Sequence, residues 1–175
     1  RYSKSELLEL YLNWIPYGHN AYGIEQAAKN YFGAQAKSLT LAQSSVLAAL
    51  PQRPSYFNPY GKHVRTTLTK NAEELLLQGK RKSLEDFSES DISIGLLGAM
   101  IGTGSTQMYV GGRTDQVLKN MEEQKMITSI EREEALQELR SMKFSATRES
   151  IRAPHFVLWI ERQIQELLSI DSALL

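Results

Sequence analysis

No cysteine occurs in the 175 residues, which excludes disulfides, thiolate nucleophiles and cysteine-type zinc sites and leaves the redox compartment open. Neither sign of charge is in excess, because 20 Lys and Arg balance 20 Asp and Glu for a formal net charge of zero. Nucleic-acid binders carry a basic face and membrane-surface proteins a polybasic cluster, so composition argues for neither. No apolar run approaches the ~20 residues that cross a bilayer, and no leader-peptide pattern is visible. The three histidines, His19, His63 and His155, are too scattered for a metal-ligand spacing. What remains is 42% hydrophobic and 23% charged, ordinary values for a chain that buries a core. The chain opens on Arg1 with a helical pattern already under way, as expected of a piece of a longer protein.

Helical punctuation is strong near the start. Ser3 with Glu6 forms a capping box, and Leu7, Leu8, Tyr11, Leu12 and Ile15 recur at helical spacing. Pro16 and Gly18 stop that helix, and 16–23 reads as a tight loop. A second helix is expected over Ile24 to Phe32, closed by Gly33, and a third over Leu41 to Leu50, capped by Thr40 with Gln43. The third is Ala-rich and nearly uncharged, which predicts deep burial. Pro51, Pro54 and Pro59 then hold the chain extended.

Downstream, the pattern predicts a polar helix over Val64 to Gln78, a charged patch over Lys80 to Asp86 and a short apolar helix over Ile92 to Met100. Flexible loop is expected at Gly102-Thr103-Gly104-Ser105 and at Gly111-Gly112. Thr114 is expected to cap a helix over Asp115 to Met126 with Val117, Leu118 and Met121 inward. Thr128 with Glu131 caps another over Arg132 to Met142, and Pro154 precedes a last one over Phe156 to Leu168. No β-hairpin and no internal repeat is expected. The fold class is all-α, with Leu7, Leu8, Leu12, Ile15, Val46, Leu47 and Leu50 in one core.

Lys4-Ser5-Glu6-Leu7-Leu8-Glu9-Leu10-Tyr11-Leu12-Asn13 resembles the fourth signature of the family 51 glycosyltransferases, the peptidoglycan glycosyltransferase domains of class A penicillin-binding proteins. Tyr17-Gly18, Tyr22-Gly23-Ile24-Glu25, Ala27-Ala28 and Tyr31-Phe32-Gly33 follow in that family's order. Leu39-Thr40-Leu41-Ala42, Leu47-Ala48, Leu50-Pro51-Gln52, Pro54-Ser55 and Asn58-Pro59 resemble its fifth signature. Gly112-Arg113-Thr114-Asp115 with Val117-Leu118, Met121 and Ile127-Thr128 is similar to the family's closing helical hairpin. Ala153-Pro154-His155-Phe156-Val157 is similar to the entry of a linker toward a transpeptidase domain. The resemblance implies an incomplete lysozyme-like helical domain over 1–145, with 66–110 an apparent insertion and 146–175 a helical linker.

Joining lipid-linked disaccharides needs a general base for the acceptor hydroxyl and positive charge for the departing pyrophosphate. The family draws these from Glu-Asp, Gly-Ser-Thr-x-Thr-Gln-Gln and Arg-Lys-x-x-Glu motifs that precede the fourth signature, and none precedes Ser3 here. Arg81-Lys82-Ser83-Leu84-Glu85 and Gly104-Ser105-Thr106 match fragments of those motifs, but after the fifth signature and in reversed order. They read as a charged solvated turn and a loop. Glu9 and Glu25 could be imagined as an acid/base pair, and the resemblance implies scaffold roles for both. Trp14 and Trp159 read as core or membrane-facing rather than catalytic.

The expectation is therefore of no catalytic residue in this chain. Candidates for the substrate groove are Asn13, Tyr17, Gly18, Tyr22 and Gly23 at a helix end and in a Gly-rich loop, with Gln52 and Arg53 between prolines. No cofactor or metal is expected here, although the resemblance allows a divalent cation in a complete domain. The implied parent is a hexosyltransferase that polymerises lipid-linked disaccharide-pentapeptide into glycan strands on the outer face of the cytoplasmic membrane. Its anchor would lie in an N-terminal segment, and its partners would be the lipid-linked precursor and the growing strand, with no nucleic acid. The alternative is a non-catalytic helical scaffold that binds cell-wall glycan or a partner enzyme; lytic cleavage is a weaker third reading, because fold alone does not set function. A groove wall without its opposite half should expose apolar surface and leave the isolated chain self-associating.

Overall fold

The computed structural model describes residues 2–81, 83, 86–102, 107–144, 159–160 and 163–164. Helix α1 (Lys4–Trp14) starts at a full capping box: Ser3 Oγ accepts the Glu6 N–H at 3.3 Å, and Glu6 Oε2 accepts the Ser3 N–H at 2.7 Å. It ends where Ile15, pinned ahead of Pro16, turns extended at φ −68°, ψ 147°. Strands β1 (Pro16–Gly18) and β2 (Ala21–Tyr22) follow, then α2 (Ile24–Phe32), which stops at Gly33 in the left-handed region. A single 3₁₀ turn (Ala36–Ser38) leads to α3 (Leu41–Ala49), capped by the expected Thr40–Gln43 box.

After the proline-rich turns come β3 (Thr67–Leu68), α4 (Lys70–Leu77), β4 (Ile92–Ser93), β5 (Ala99–Ile101) and β6 (Met108–Val110). Helices α5 (Arg113–Glu123) and α6 (Ser129–Ser141) close the described fold. Helix α3 is its axis. It packs against α2, α5 and α6, and Ala42, Val46, Leu47 and Ala49 are all buried. Tyr17, Tyr31, Leu96, Leu97, Leu118, Leu136 and Leu139 complete the core around it. Arg65 ties the far side together: its guanidinium donates to the carbonyls of Gly98, Arg140 and Met142 at 3.1, 3.2 and 3.0 Å, capping the end of α6.

The helical class holds, but the structure corrects several expectations. There are hairpins, β1–β2 and β5–β6, and a third antiparallel pair, β3–β4, is joined across α4. In the first, His19 and Asn20 carry φ of 50° and 57°, the paired left-handed conformation of a two-residue hairpin turn. The expected helix over Val64 to Gln78 is a strand and a shorter helix. That over Ile92 to Met100 is not a helix at all. Gly95 and Gly98 let this segment lie against the neighbouring backbone, and Leu96 and Leu97 donate to the His63 and Val64 carbonyls at 2.8 and 2.9 Å. A short apolar run fits a buried extended segment as well as a helix, and long-range pairing decided it.

Helix α5 begins two residues before the expected start, with Gly112 as its cap. Thr114 instead buries its hydroxyl against the Leu96 carbonyl at 3.1 Å. Of the seven residues expected to share a core, Val46, Leu47 and Leu50 do, Leu12 and Ile15 are half-buried, and Leu7 and Leu8 are exposed. No residue of α1 is buried, because α2 is its principal neighbour and covers only one edge of a broad apolar stripe. The expected helix over Phe156 to Leu168 and the linker over 146–175 lie largely outside the described residues.

Candidate functional site

Between α1, α2 and α3 lies a groove of about 470 Å³ whose floor is Tyr17 and Leu47 and whose rim carries Tyr11, Ser44, Pro51 and Gln52. Its walls are apolar with a few polar groups at the edge, the composition of a site that holds a ligand by shape and orients it by hydrogen bonds. Two of the expected residues, Tyr17 and Gln52, meet here. Asn13 faces a shallower cleft of about 230 Å³ along α1 with Tyr2, Glu6 and Glu9. Its side chain has no hydrogen-bond partner among the described residues, so it does not satisfy the end of the helix.

The loop residues divide by role. Tyr17 is 1% exposed, and burial pushes its phenol up to about 12. The Tyr31 hydroxyl, likewise raised to about 12 by burial, donates to the Tyr17 carbonyl at 2.9 Å and locks the loop from beneath. Tyr22, the neighbour pointing outward, is 70% exposed. Gly18 has φ of 84° and abuts the Pro54 carbonyl. Gly23 has φ of 80°, and a Cβ there would stand 2.6 Å from the Asn13 carbonyl oxygen. These two glycines set the backbone that carries Asn13, Tyr17 and Tyr22; neither offers a side chain of its own.

Arg53 lies with its guanidinium 4.4 Å from the centre of the Tyr56 ring, and His63 stacks on Tyr56 at 3.9 Å and 11°. The result is an exposed cation held on an aromatic platform beside Gln52. The sequence reading missed Tyr56 and His63 as its support, and missed Tyr11 and Ser44 on the groove rim. Tyr11 entered that reading as part of the helical spacing of α1.

The carboxylates are tied to backbone. Glu25 accepts the Ala36 N–H at 2.8 Å and pairs with Lys29 at 3.2 Å, and that backbone bond is the first cause that holds its pKa low. Glu6 and Glu131 are held low by the N–H groups they accept in their capping boxes. Glu9 shares its shallow cleft with Glu6, which accepts the Ser3 N–H, and no cation lines that cleft. Arg81, first of the Arg-Lys-x-x-Glu look-alike, pairs with Asp91 at 2.6 Å and covers Phe87, consistent with a structural role; Lys82, Leu84, Glu85 and residues 103–106 lie outside the described residues. Trp14 is 79% exposed, so it is not a core residue. No cluster of three His, Asp or Glu that could hold a metal occurs among the described residues, and no described helix is long and apolar enough to cross a membrane.

Comparison with known proteins gives these observations a context. Residues 1–79 match the transglycosylase family, through Thr66 and all of α4. Penicillin-binding protein 2D of Bacillus subtilis (strain 168) is 43% identical over 93 residues, which is 50% of this chain and 14% of that protein. Penicillin-binding protein 1A of Pseudomonas aeruginosa is 46% identical over 69 residues, 39% of this chain and 8% of that protein. The crystal structure of penicillin-binding protein 1A from Haemophilus influenzae aligns over 93% of this chain and 17% of its own, at a TM-score of 0.53 and 27% identity. The chain thus spans well under a fifth of the length of these relatives.

Proposed function

Since residues 1–79 belong to the transglycosylase family, we propose that this chain forms the C-terminal part of a domain that polymerises lipid-linked disaccharide-pentapeptide into peptidoglycan strands. The observation that carries the reading is the coincidence of the family match with the α1–α3 groove: both family signatures fold onto its walls. Gln52 contacts the glycan from the groove rim and Asn13, Tyr22 and Arg53 from the exposed surface outside it, while Tyr17, Gly18 and Gly23 shape the loop between α1 and α2. Helices α5 and α6 brace the wall from behind. The part of segment 66–110 that lies beyond the family match, from residue 80 on, is an insertion on this scaffold, and 146–175 leads toward a transpeptidase domain.

The general base and the groups that receive the pyrophosphate, including any divalent cation, come from residues outside this chain. The carboxylates beside the groove support that division, because Glu6 and Glu25 are spent on backbone N–H groups. So does the face of α1, where Leu7, Leu8, Tyr11 and Trp14 are 52, 57, 51 and 79% exposed, an unpartnered apolar stripe that meets the groove at Tyr11. The domain works at the outer face of the cytoplasmic membrane, anchored by a segment that these residues do not include.

The test is direct. The chain is mixed with labelled lipid-linked disaccharide-pentapeptide, and both binding and polymer are measured. Binding without polymer is expected, weakened several-fold by Gln52→Ala and Asn13→Ala. Glycan polymer made by the chain alone refutes the division of labour. Binding of finished glycan strands with no affinity for the lipid-linked precursor transfers the assignment to a non-catalytic scaffold.

A further inference from the structure

A second cavity lies on a different part of the molecule, between the first turns of α5 and the start of α6. It measures about 400 Å³, and three cations line it: Arg113, Lys119 and Arg132. Gln116 is three residues from both Arg113 and Lys119 and so neighbours each on the surface of α5, and Arg132 lines the same cavity from α6.

The local charges are unevenly answered. Asp115, the one carboxylate on the cavity wall, has its Oδ1 bonded by the Tyr109 hydroxyl at 2.7 Å and its Oδ2 by the Gly112 N–H at 2.8 Å. Lys119 reaches Glu123 only at 3.7 Å, with both side chains about 60% exposed, a weak pair. Arg132 Nε stands 2.9 Å from Glu122 Oε2 but outside hydrogen-bond geometry. Arg113 has no ion pair among the described residues, and its Nε–H is shielded from solvent with no acceptor. A buried donor left unanswered is destabilising, and native proteins leave few of them. An oxyanion in the cavity would accept from that N–H and from the fork of the same guanidinium, with Lys119, Arg132 and the Gln116 amide as further donors.

We propose that this cavity is a binding site for a phosphate-type oxyanion, with Arg113 as its anchor. Glu123 and Glu122 stand beside Lys119 and Arg132, whereas Arg113 has no carboxylate of its own, so its guanidinium fork with Lys119 and Arg132 lining the same cavity matches an anion carrying its charge on tetrahedral oxygens. The site is independent of the α1–α3 groove and of any catalytic assignment made there.

Inorganic pyrophosphate, phosphate and acetate are titrated into the chain by calorimetry at low salt, and sedimentation with phosphatidylglycerol vesicles against phosphatidylcholine vesicles separates a free from a lipid-borne phosphate. Expected are one-to-one binding of pyrophosphate or of the anionic vesicles, tighter than acetate, and an affinity at least about tenfold lower in Arg113→Gln. Lys119→Gln, on an exposed side chain that the fold does not need, should weaken binding several-fold, and Lys37→Gln, remote and exposed, should not. No binding to any phosphate probe, acetate bound as tightly as pyrophosphate, or equal losses in Lys37→Gln and Lys119→Gln would each overturn the assignment.

Discussion

Gly23 and Gly33 flank the same helix, both with positive φ, and they should respond very differently to a single methyl group. At Gly33 (φ 64°, ψ 22°) an added Cβ meets nothing within 4 Å. Gly33→Ala therefore carries the left-handed penalty of about 1–2 kcal/mol, partly offset by a stiffer unfolded chain, for a net loss of about 1 kcal/mol. Gly23 (φ 80°, ψ 153°) sits in a region open essentially to glycine alone, which costs roughly 1–3 kcal/mol for any other residue. Its Cβ would also stand 2.6 Å from the Asn13 carbonyl oxygen, a backbone atom that cannot swing aside. Relieving that contact moves the end of α1 away from α2 and strains the Gly23 N–H bond to the Ile15 carbonyl, now 3.1 Å. Gly23→Ala should lose about 3 kcal/mol in all, some 2 kcal/mol more than Gly33→Ala. Urea unfolding followed by far-ultraviolet circular dichroism measures both, and amide exchange should show the α1 protons released first in Gly23→Ala. Equal losses for the two variants would refute the argument that close backbone approach at Asn13 fixes the junction of α1 with the loop.

Arg65 donates to three carbonyls at the end of α6 and at Gly98, so Arg65→Met should cost about 3 kcal/mol, and Arg65→Lys should recover little because an ammonium lacks the fork; urea midpoints of the two variants check this. Tyr17 and Tyr31 have phenols raised by burial from 10.0 to about 12, so the folded state holds their protons more tightly than the unfolded state. Stability from this source is complete below pH 10 and is lost as pH rises toward 12, and Tyr31→Phe should reduce that slope in alkaline unfolding curves followed by phenolate absorbance. Trp14→Glu combined with Leu7→Lys places charge on side chains that are 79% and 52% exposed, so stability should change by less than about 0.5 kcal/mol while self-association falls. Sedimentation velocity reads that outcome, and unchanged association would remove the α1 face as its cause.

Where the chain announces structure locally, the reading and the coordinates agree. Ser3–Glu6, Thr40–Gln43 and Thr128–Glu131 each close a capping box within four residues, and Gly33 ends α2 in the left-handed conformation that its type predicts. Those signals are complete in a short window, so no distant partner can overrule them. The segment from Ile92 to Met100 lacked any such signal, and Gly95 and Gly98 acquire meaning only beside Arg65 and Tyr109. The tight loop expected over 16–23 contains the β1–β2 turn, but its strand pairing was not foreseen, because strands of three and two residues are too short to show an alternating pattern. Of the groove candidates, Tyr17 and Gln52 do share a groove and Asn13, Tyr22 and Arg53 lie outside its lining, while Tyr56 and His63 support Arg53 through stacking that no spacing encodes.

Helix α1 joins these two kinds of information. Its capping box fixes where it begins, and Pro16 fixes where it ends, yet eleven residues make a marginal helix in water without tertiary burial. The apolar pattern that identifies it as a helix is broader than the edge α2 covers, leaving Leu7, Leu8, Leu10, Tyr11 and Trp14 exposed. Periodicity states that a face must be buried but not against what, so assigning Leu7 and Leu8 to this chain's own core followed correctly from the pattern and failed on the partner. Leu12 and Ile15, half-buried, are the aliphatic residues of that pattern that reach the groove, whereas Leu7 and Leu8 remain an exposed stripe that no described element covers.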